Sequence, residues 1–386
     1  MRRIYLDNAA TSFPKPAAVY DAIDHYNRQV GASERGNYAT GREATRTVQN
    51  CRRQLAALFG IETSAHRLIF TLNGTDSLNL ALHGLLSAGD HVVTSALEHN
   101  SVVRPLRELQ RRFGVETTVV AADASGRIDP AAFQRALRPA TKLITLIHAS
   151  NVTGAVQPIA DVGQIARRAN VLFLVDAAQS AGQLPINLGD LAVDLLACPG
   201  HKGLLGPLGT GVLYVGPGVE ERLQSLRQGG TGTNSDEETQ PAALPVKHES
   251  GNNNVPGIAG LHAGVSWLRE RGVAAVRKQE QELVARMQEG LAGLAGVRLY
   301  GPAEGHERVG VVSLTVDGFD PHELAEILGQ SFGIEVRAGL HCAPGAHRAV
   351  GTFSSGGTVR FSFGPLTTAD EVDAAVDALR QISGGG

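Results

Sequence analysis

LITLIHASNVTGAVQPIADVGQIARRANVLFLVDAAQS, residues 143–180, reads as strand, helix, strand. Leu143–His148 and Val171–Val175 are short apolar runs, and Ile159–Ala169 between them is helical in pattern. The alternation continues toward the N-terminus. Strands are predicted over 67–72, 90–96 and 116–121, and helices over 75–86, 101–113 and 129–137. In the 75–86 helix Leu78, Ala81, Leu82 and Leu85 share one face. Strands alternating with helices at this spacing predict an α/β fold: a mostly parallel sheet with helices on both faces. Such sheets bind ligands beyond the carboxyl ends of their strands.

At 386 residues the chain is too long for one compact domain. We expect a large domain over 14–256, and a smaller α+β domain built from 1–13 and 257–386. Residues 217–256 are mostly loop, and 258–294 form a long helical region broken near Gly272. Strands over 310–316, 335–337 and 358–363, a helix over 321–328 and a last helix carrying Val372, Ala375, Val376 and Leu379 complete the smaller domain. Before the alternation, Ala44, Val48, Cys51, Leu55 and Leu58 recur at helical steps, which makes Cys51 a core residue.

The net charge of −3 gives no basic surface for nucleic acid. No apolar run approaches a membrane span, and the first residues do not read as a signal peptide. Three cysteines, Cys51, Cys198 and Cys342, make no disulfide framework and suit a reducing cytoplasm. No HExxH or CxxC spacing suggests a metal. The GLLGPLGTG run at 203–211 lacks the GK[ST] ending of a P-loop, and no GxGxxG follows the first strand.

Beyond the alternation, DLLACPGHKGLLGPLGTGVLYV at 194–215 reads as two apolar strands joined by a tight loop. Lys202 stands in that loop between Gly200 and Gly203. It is either a solvated lysine at a glycine hinge or a desolvated amine able to form a Schiff base, for which pyridoxal 5'-phosphate (PLP) is the usual aldehyde. Four strand ends point to the same crevice. Gly74 and Thr75 open a helix and either hold a phosphate or simply cap it. His99 is a stacking ring or a surface histidine. Asn151 follows the 143–148 strand. Asp176, with Gln179, ends an apolar strand, so its carboxylate needs a cation: a protonated pyridine nitrogen or a core arginine.

In the smaller domain Cys342 lies in a loop, VRAGLHCAPGAHRAVGT, with Arg337, His341, His347 and Arg348 as nearby positive charge. It is a reactive thiolate or an inert loop thiol. Cys198, inside an apolar strand, reads as core. Arg360 interrupts the apolar strand GTVRFSFG, and a buried arginine wants a carboxylate.

Together YLDNAAT, NGTDSLN, LEHNS, HASNVTG, VDAAQ, PGHKGLLGPLGTG, RAGLHCAP and VRFSFG resemble, nearly end to end, the cysteine desulfurases among the class V, fold-type I PLP enzymes. The resemblance implies PLP on Lys202, its pyridine nitrogen on Asp176, Asn151 and Gln179 by its phenolic oxygen, His99 on its face, and Thr75 and His201 on its phosphate. It implies Arg360, with Arg337 nearby, on the substrate carboxylate and Cys342 as sulfur acceptor. The implied substrate is L-cysteine, with selenocysteine or another cysteine conjugate as the alternative and amino-group transfer as a third reading. A homodimer is implied, and the short Cys342 loop implies a helper that accepts sulfur. Three positions depart from the family pattern. Pro199 replaces a phosphate-binding serine, Asn252 in ESGNNN replaces a threonine that reaches the partner subunit's phosphate, and Tyr38 replaces a histidine.

Overall fold

The computed structural model describes residues 2–233, 235–303 and 306–384. It opens with β1 (Ile4–Tyr5), α1 (Ala17–His25) and α2 (Ala39–Leu58). The alternation follows as β2 (Leu68–Thr71), α3 (Gly74–Leu85), β3 (His91–Ser95), α4 (Asn100–Phe113), β4 (Glu116–Val120), α5 (Pro130–Ala136), β5 (Thr141–Ile147), α6 (Ile159–Arg168), β6 (Leu172–Asp176), β7 (Leu195–Pro199) and β8 (Gly211–Val215). The sheet order is β2-β8-β7-β6-β5-β3-β4. Strands β7, β6, β5, β3 and β4 run parallel, while β8 is antiparallel to both its neighbours.

Both faces of this sheet are covered, and the sequence alternates accordingly. Phe173 and Val175 of β6 enter one core while Leu172 and Leu174 enter the other, and Leu196 and Leu195 of β7 divide the same way. Helices α3 and α4 supply the second core, whereas α2, α6 and the later α7 (Val255–Arg271) supply the first. Cys51 and Cys198 are fully buried in the first core, and burial raises both thiols.

The remaining elements are α8 (Val273–Leu291), β9 (Val297–Tyr300), β10 (Val311–Val316), α9 (Pro321–Phe332), β11 (Ile334–Glu335), β12 (Arg337–Gly339), α10 (Pro344–Ala349), β13 (Thr358–Ser362) and α11 (Ala369–Gly384). Strands β12-β13-β10-β9 make an antiparallel sheet under α8, α9 and α11. The single strand expected over 335–337 is split. β11 pairs with β1, and β12 pairs with β13. The N-terminal arm joins this body, with Ile4 and Leu6 in its core. Gly272, at φ 83°, breaks α7 from α8. Because Val255, Ile258, Leu261, Val265 and Leu268 pack into the large-sheet core, we propose that the domain division falls at Gly272 rather than at 256/257.

Candidate functional site

The carboxyl ends of β5 and β6, the start of α3, the turn before α4 and the β7–β8 loop enclose one cleft. Its lining includes Gly74, Thr75, His99, Asn151, Asp176, Gln179, His201 and Lys202. The expected strand ends therefore do converge. The hydrogen bonds of β6 with β7 align Asp176 with Ala197, and Lys202 emerges just beyond the end of β7. Gly200 and Gly203 are close-packed rather than hinge-like. A Cβ would stand 2.2 Å from Thr210 Oγ1 at the first, and 2.3 Å from the Ala181 carbonyl oxygen at the second.

Lys202 is reached from the cleft, yet its amine is desolvated. Loss of water, with Arg360 adding to it, lowers its pKa from 10.5 to about 8. Asp176 is buried, accepts the Ala178 N–H at 2.9 Å, and is raised from its ordinary value, chiefly by desolvation. Burial, then the nearby Lys202, lowers both His99 and His201 to about 4, so both rings are neutral at pH 7.

Side-chain orientation in the cleft is set by a short relay. Ser101, which sequence reasoning passed over, donates its N–H to His99 Nδ1 at 3.1 Å and lies 2.8 Å from it through its hydroxyl. The backbone donor puts the neutral ring's proton on Nε2. The Ser101 hydroxyl in turn meets Thr75 Oγ1 at 2.7 Å. Thr75 is not the helix cap. Asn73 is, accepting the Asp76 N–H at 2.9 Å, because the side chain one residue before the helix reaches that donor. Gly74 packs closely, since a Cβ there would lie 3.1 Å from the Pro199 ring. Pro199, lacking a hydroxyl, contributes contact rather than a hydrogen bond.

Three buried polar atoms of cleft residues have no partner among the described residues: Asn151 Oδ1, Gln179 Oε1 and His201 Nδ1. The nitrogens of the two amides are anchored by neighbours. Asn151 Nδ2 donates to the His341 carbonyl at 2.6 Å, and Gln179 Nε2 to the Ala9 carbonyl at 3.0 Å. A desolvated amine, a buried carboxylate with no salt bridge among the described residues, a helix N-terminus and three orphaned polar atoms fit a PLP-sized ligand bearing an aldehyde, a basic ring nitrogen and a phosphate.

The aminotransferase class-V family model matches residues 4–375. A protein of Methanothermobacter thermautotrophicus named "Probable cysteine desulfurase" is 35% identical, the match covering 99% of this chain and 95% of that protein. One of Haloferax volcanii named "Cysteine desulfurase" is 31% identical, over 97% and 88%. The apo structure of a cysteine desulfurase from Thermococcus onnurineus superposes with a TM-score of 0.93 at 33% identity, covering 100% of this chain and 95% of that one.

The chain belongs to the cysteine desulfurases. Members of this class V family are in general PLP enzymes.

Cys342, in the RAGLHCAP segment, is free and exposed. Its backbone and that of His341 are both left-handed, at φ 57° and 47°. Its loop is docked onto the large domain by the Asn100 N–H, which donates to the Cys342 carbonyl at 2.7 Å, and by Asn151. The expected positive surroundings need correction. Burial is the main cause that lowers His341 to about 2 and His347 to about 4, so neither is charged at neutral pH. Arg348 lies 4.0 Å over the Phe353 ring, and Arg337 is paired with Asp7.

Arg360 is buried as expected, but the carboxylate beside it is the protein's own. Its Nη2 donates to Asp7 Oδ1 at 2.7 Å and its Nη1 to the Asn151 carbonyl at 3.1 Å, while Nε has no partner among the described residues. The structure does not bring Asn252 into the cleft. It is exposed on a neighbouring groove with Thr71, Leu72, Gly209 and Arg227. Tyr38 is exposed at the start of α2.

Sequence reasoning also missed the arm contacts. The His201 carbonyl accepts from Ser12 N at 3.0 Å, Thr11 Oγ1 at 3.1 Å and Lys15 Nζ at 3.3 Å. Nothing in the local pattern of residues 7–15 signals a bond nearly 200 positions away.

Proposed function

We propose that the chain is a PLP-dependent cysteine desulfurase that converts L-cysteine to L-alanine and receives the sulfur as a persulfide on Cys342. The observation that carries this reading is the desolvated Lys202 amine in one cleft with the buried Asp176, which has no salt bridge among the described residues. When bound, PLP supplies an aldehyde that captures amines and a ring that draws electrons from the substrate's α-carbon.

Lys202 would hold the cofactor and its amine would move the α-proton. Asp176 would balance the charge of a protonated ring nitrogen. Asn151 and Gln179 would help to hold the ring. His99, neutral and fixed by Ser101, would support it. Gly74 and Thr75 at the start of α3, with His201, would hold the phosphate, and Asn252 would serve the phosphate of a second copy. Arg360, with Arg337 beside it, takes the substrate carboxylate. The Cys342 thiolate attacks the substrate sulfur. A sulfur–sulfur bond forms, the carbon–sulfur bond breaks with its electron pair left on carbon, and protonation there gives alanine.

The protein acts as a homodimer, in the cytoplasm, and passes sulfur to an acceptor protein or small thiol. Exposed Leu72 and Leu208 beside the cleft support a covering subunit. Among the described residues no helix is long and apolar enough to cross a membrane.

The test is turnover of L-cysteine by the PLP-loaded protein with a reductant present. Alanine and sulfide are expected in equal amounts, and Cys342→Ser is expected to lower both by about 100-fold or more with PLP still bound. Undiminished alanine release by that variant would replace the persulfide reading with that of a selenocysteine or cysteine-conjugate lyase. A keto-acid product would replace it with amino-group transfer.

A further inference from the structure

We propose that Asp7 determines substrate specificity. By sharing its carboxylate between Arg360 and Arg337, it cancels one of their two positive charges, which favours an amino acid whose only anion is its α-carboxylate and discriminates against one with an anionic side chain. The inference rests on the reading of Arg360 as the substrate-carboxylate anchor.

Arg337 and Arg360 stand opposite each other on β12 and β13. Like charges placed directly across two strands repel. Asp7 lies between them: Oδ1 accepts from Arg360 Nη2 at 2.7 Å and Oδ2 from Arg337 Nε at 3.1 Å. Two cations and one anion leave this trio one positive charge, and Arg104 on the same groove adds a further cation that stays constant in variants of Asp7 and Arg337. Arg360 keeps its buried Nε–H without a partner among the described residues, so it retains a donor for an incoming carboxylate even while Asp7 holds it.

Asp7 has little freedom to move. Ser362 N donates to the Leu6 carbonyl at 2.7 Å, Asn8 Nδ2 to the Ser362 carbonyl at 3.1 Å, and the backbone at Asp7 bridges to Ser362. The carboxylate is therefore a fixed part of the site. Asp7 and Arg337 also line the groove that exposes Cys342. The substrate's side-chain sulfur must approach Cys342, so its charge is felt where Asp7 stands. Lys202 and Asp176, the charged side chains of the neighbouring cleft, are committed to the cofactor in this reading.

The experiment measures calorimetric binding of L-alanine and of L-cysteate to the PLP-loaded protein. L-Cysteate carries a sulfonate where the substrate carries sulfur. Asp7→Asn is expected to shift the affinity ratio toward L-cysteate by about tenfold, and Arg337→Gln to shift it the other way. Asp7→Glu should keep the wild-type ratio. An unchanged ratio in Asp7→Asn, at an unchanged melting temperature, overturns the proposal. If Asp7→Asn does not fold, Arg337→Gln decides alone, because the Arg337 side chain is 52% exposed and its loss leaves the core intact; an unchanged ratio there also overturns it. Wild-type protein that releases no alanine from L-cysteine would instead refute the desulfurase reading, with the ratio still readable.

Discussion

At the scale of single residues, water and charge around Lys202 decide the chemistry. Desolvation brings its amine to about 8, well below that of a lysine in water, so a nucleophilic fraction exists near neutrality. Loading of the apoprotein with PLP should therefore speed up as pH rises toward about 8 and level off above it, since the folded-state amine is protonated below that value and free above it. Stopped-flow absorbance during reconstitution checks this; a rate still climbing between pH 9 and 10 would mean that the amine is solvated. Lys202→Ala should lose turnover by at least about 1,000-fold. Asp176→Asn should retain the fold and weaken PLP retention, because the buried side chain no longer offers a negative partner. The residue types themselves were legible: a lysine among glycines, a carboxylate ending an apolar strand, a cysteine in a glycine–proline loop. Their charge states were less so. His341 and His347 look like positive neighbours of Cys342 in the sequence, and only the packing that buries them makes them neutral.

Among the elements, the β7–β8 connection and its neighbours impose the tightest constraints. Gly203 meets the Ala181 carbonyl, and Gly182, at φ 83°, meets Gly203 in return. Gly203→Ala should cost about 1–3 kcal/mol by overpacking against backbone that cannot yield, seen as a lower thermal midpoint together with slower PLP loading. A melting temperature and loading rate equal to wild type would show that the loop relaxes freely. A second constraint is the buried pair of Arg52 on α2 with Glu249, 2.8 Å apart, whose carboxylate also takes the Phe70 N–H at 2.7 Å. Glu249→Ala should destabilise by about 3–5 kcal/mol, because Arg52 would be left buried and uncompensated; denaturant titration checks it. The parallel strands and their helices were readable because each apolar run alternates with a helical period. The split of the 335–337 strand was not, because the partners that divide it, β1 and β13, come from opposite ends of the chain.

For the whole molecule, the N-terminal arm is the unexpected connector. Residues 7–15 link Arg360 in the smaller body, through Asp7, to Gln179 and the His201 carbonyl in the larger. Lys15 takes part through Ser12, and burial lowers it to about 8. The sequence pattern located both ends of this connection but not the connection itself, which is tertiary. Placing Asn252 outside the cleft of its own chain accords with the proposed two-fold assembly. Light scattering should report twice the chain mass, and Asn252→Ala should weaken PLP binding about tenfold with the dimer retained; a stable monomer with full PLP affinity would contradict the shared site. The most direct test of the central claim is borohydride reduction of the PLP-loaded protein, followed by digestion and mass spectrometry. The account predicts one pyridoxyl group per chain, on the peptide bearing Lys202. A label on Lys15, or on no lysine at all, would contradict it.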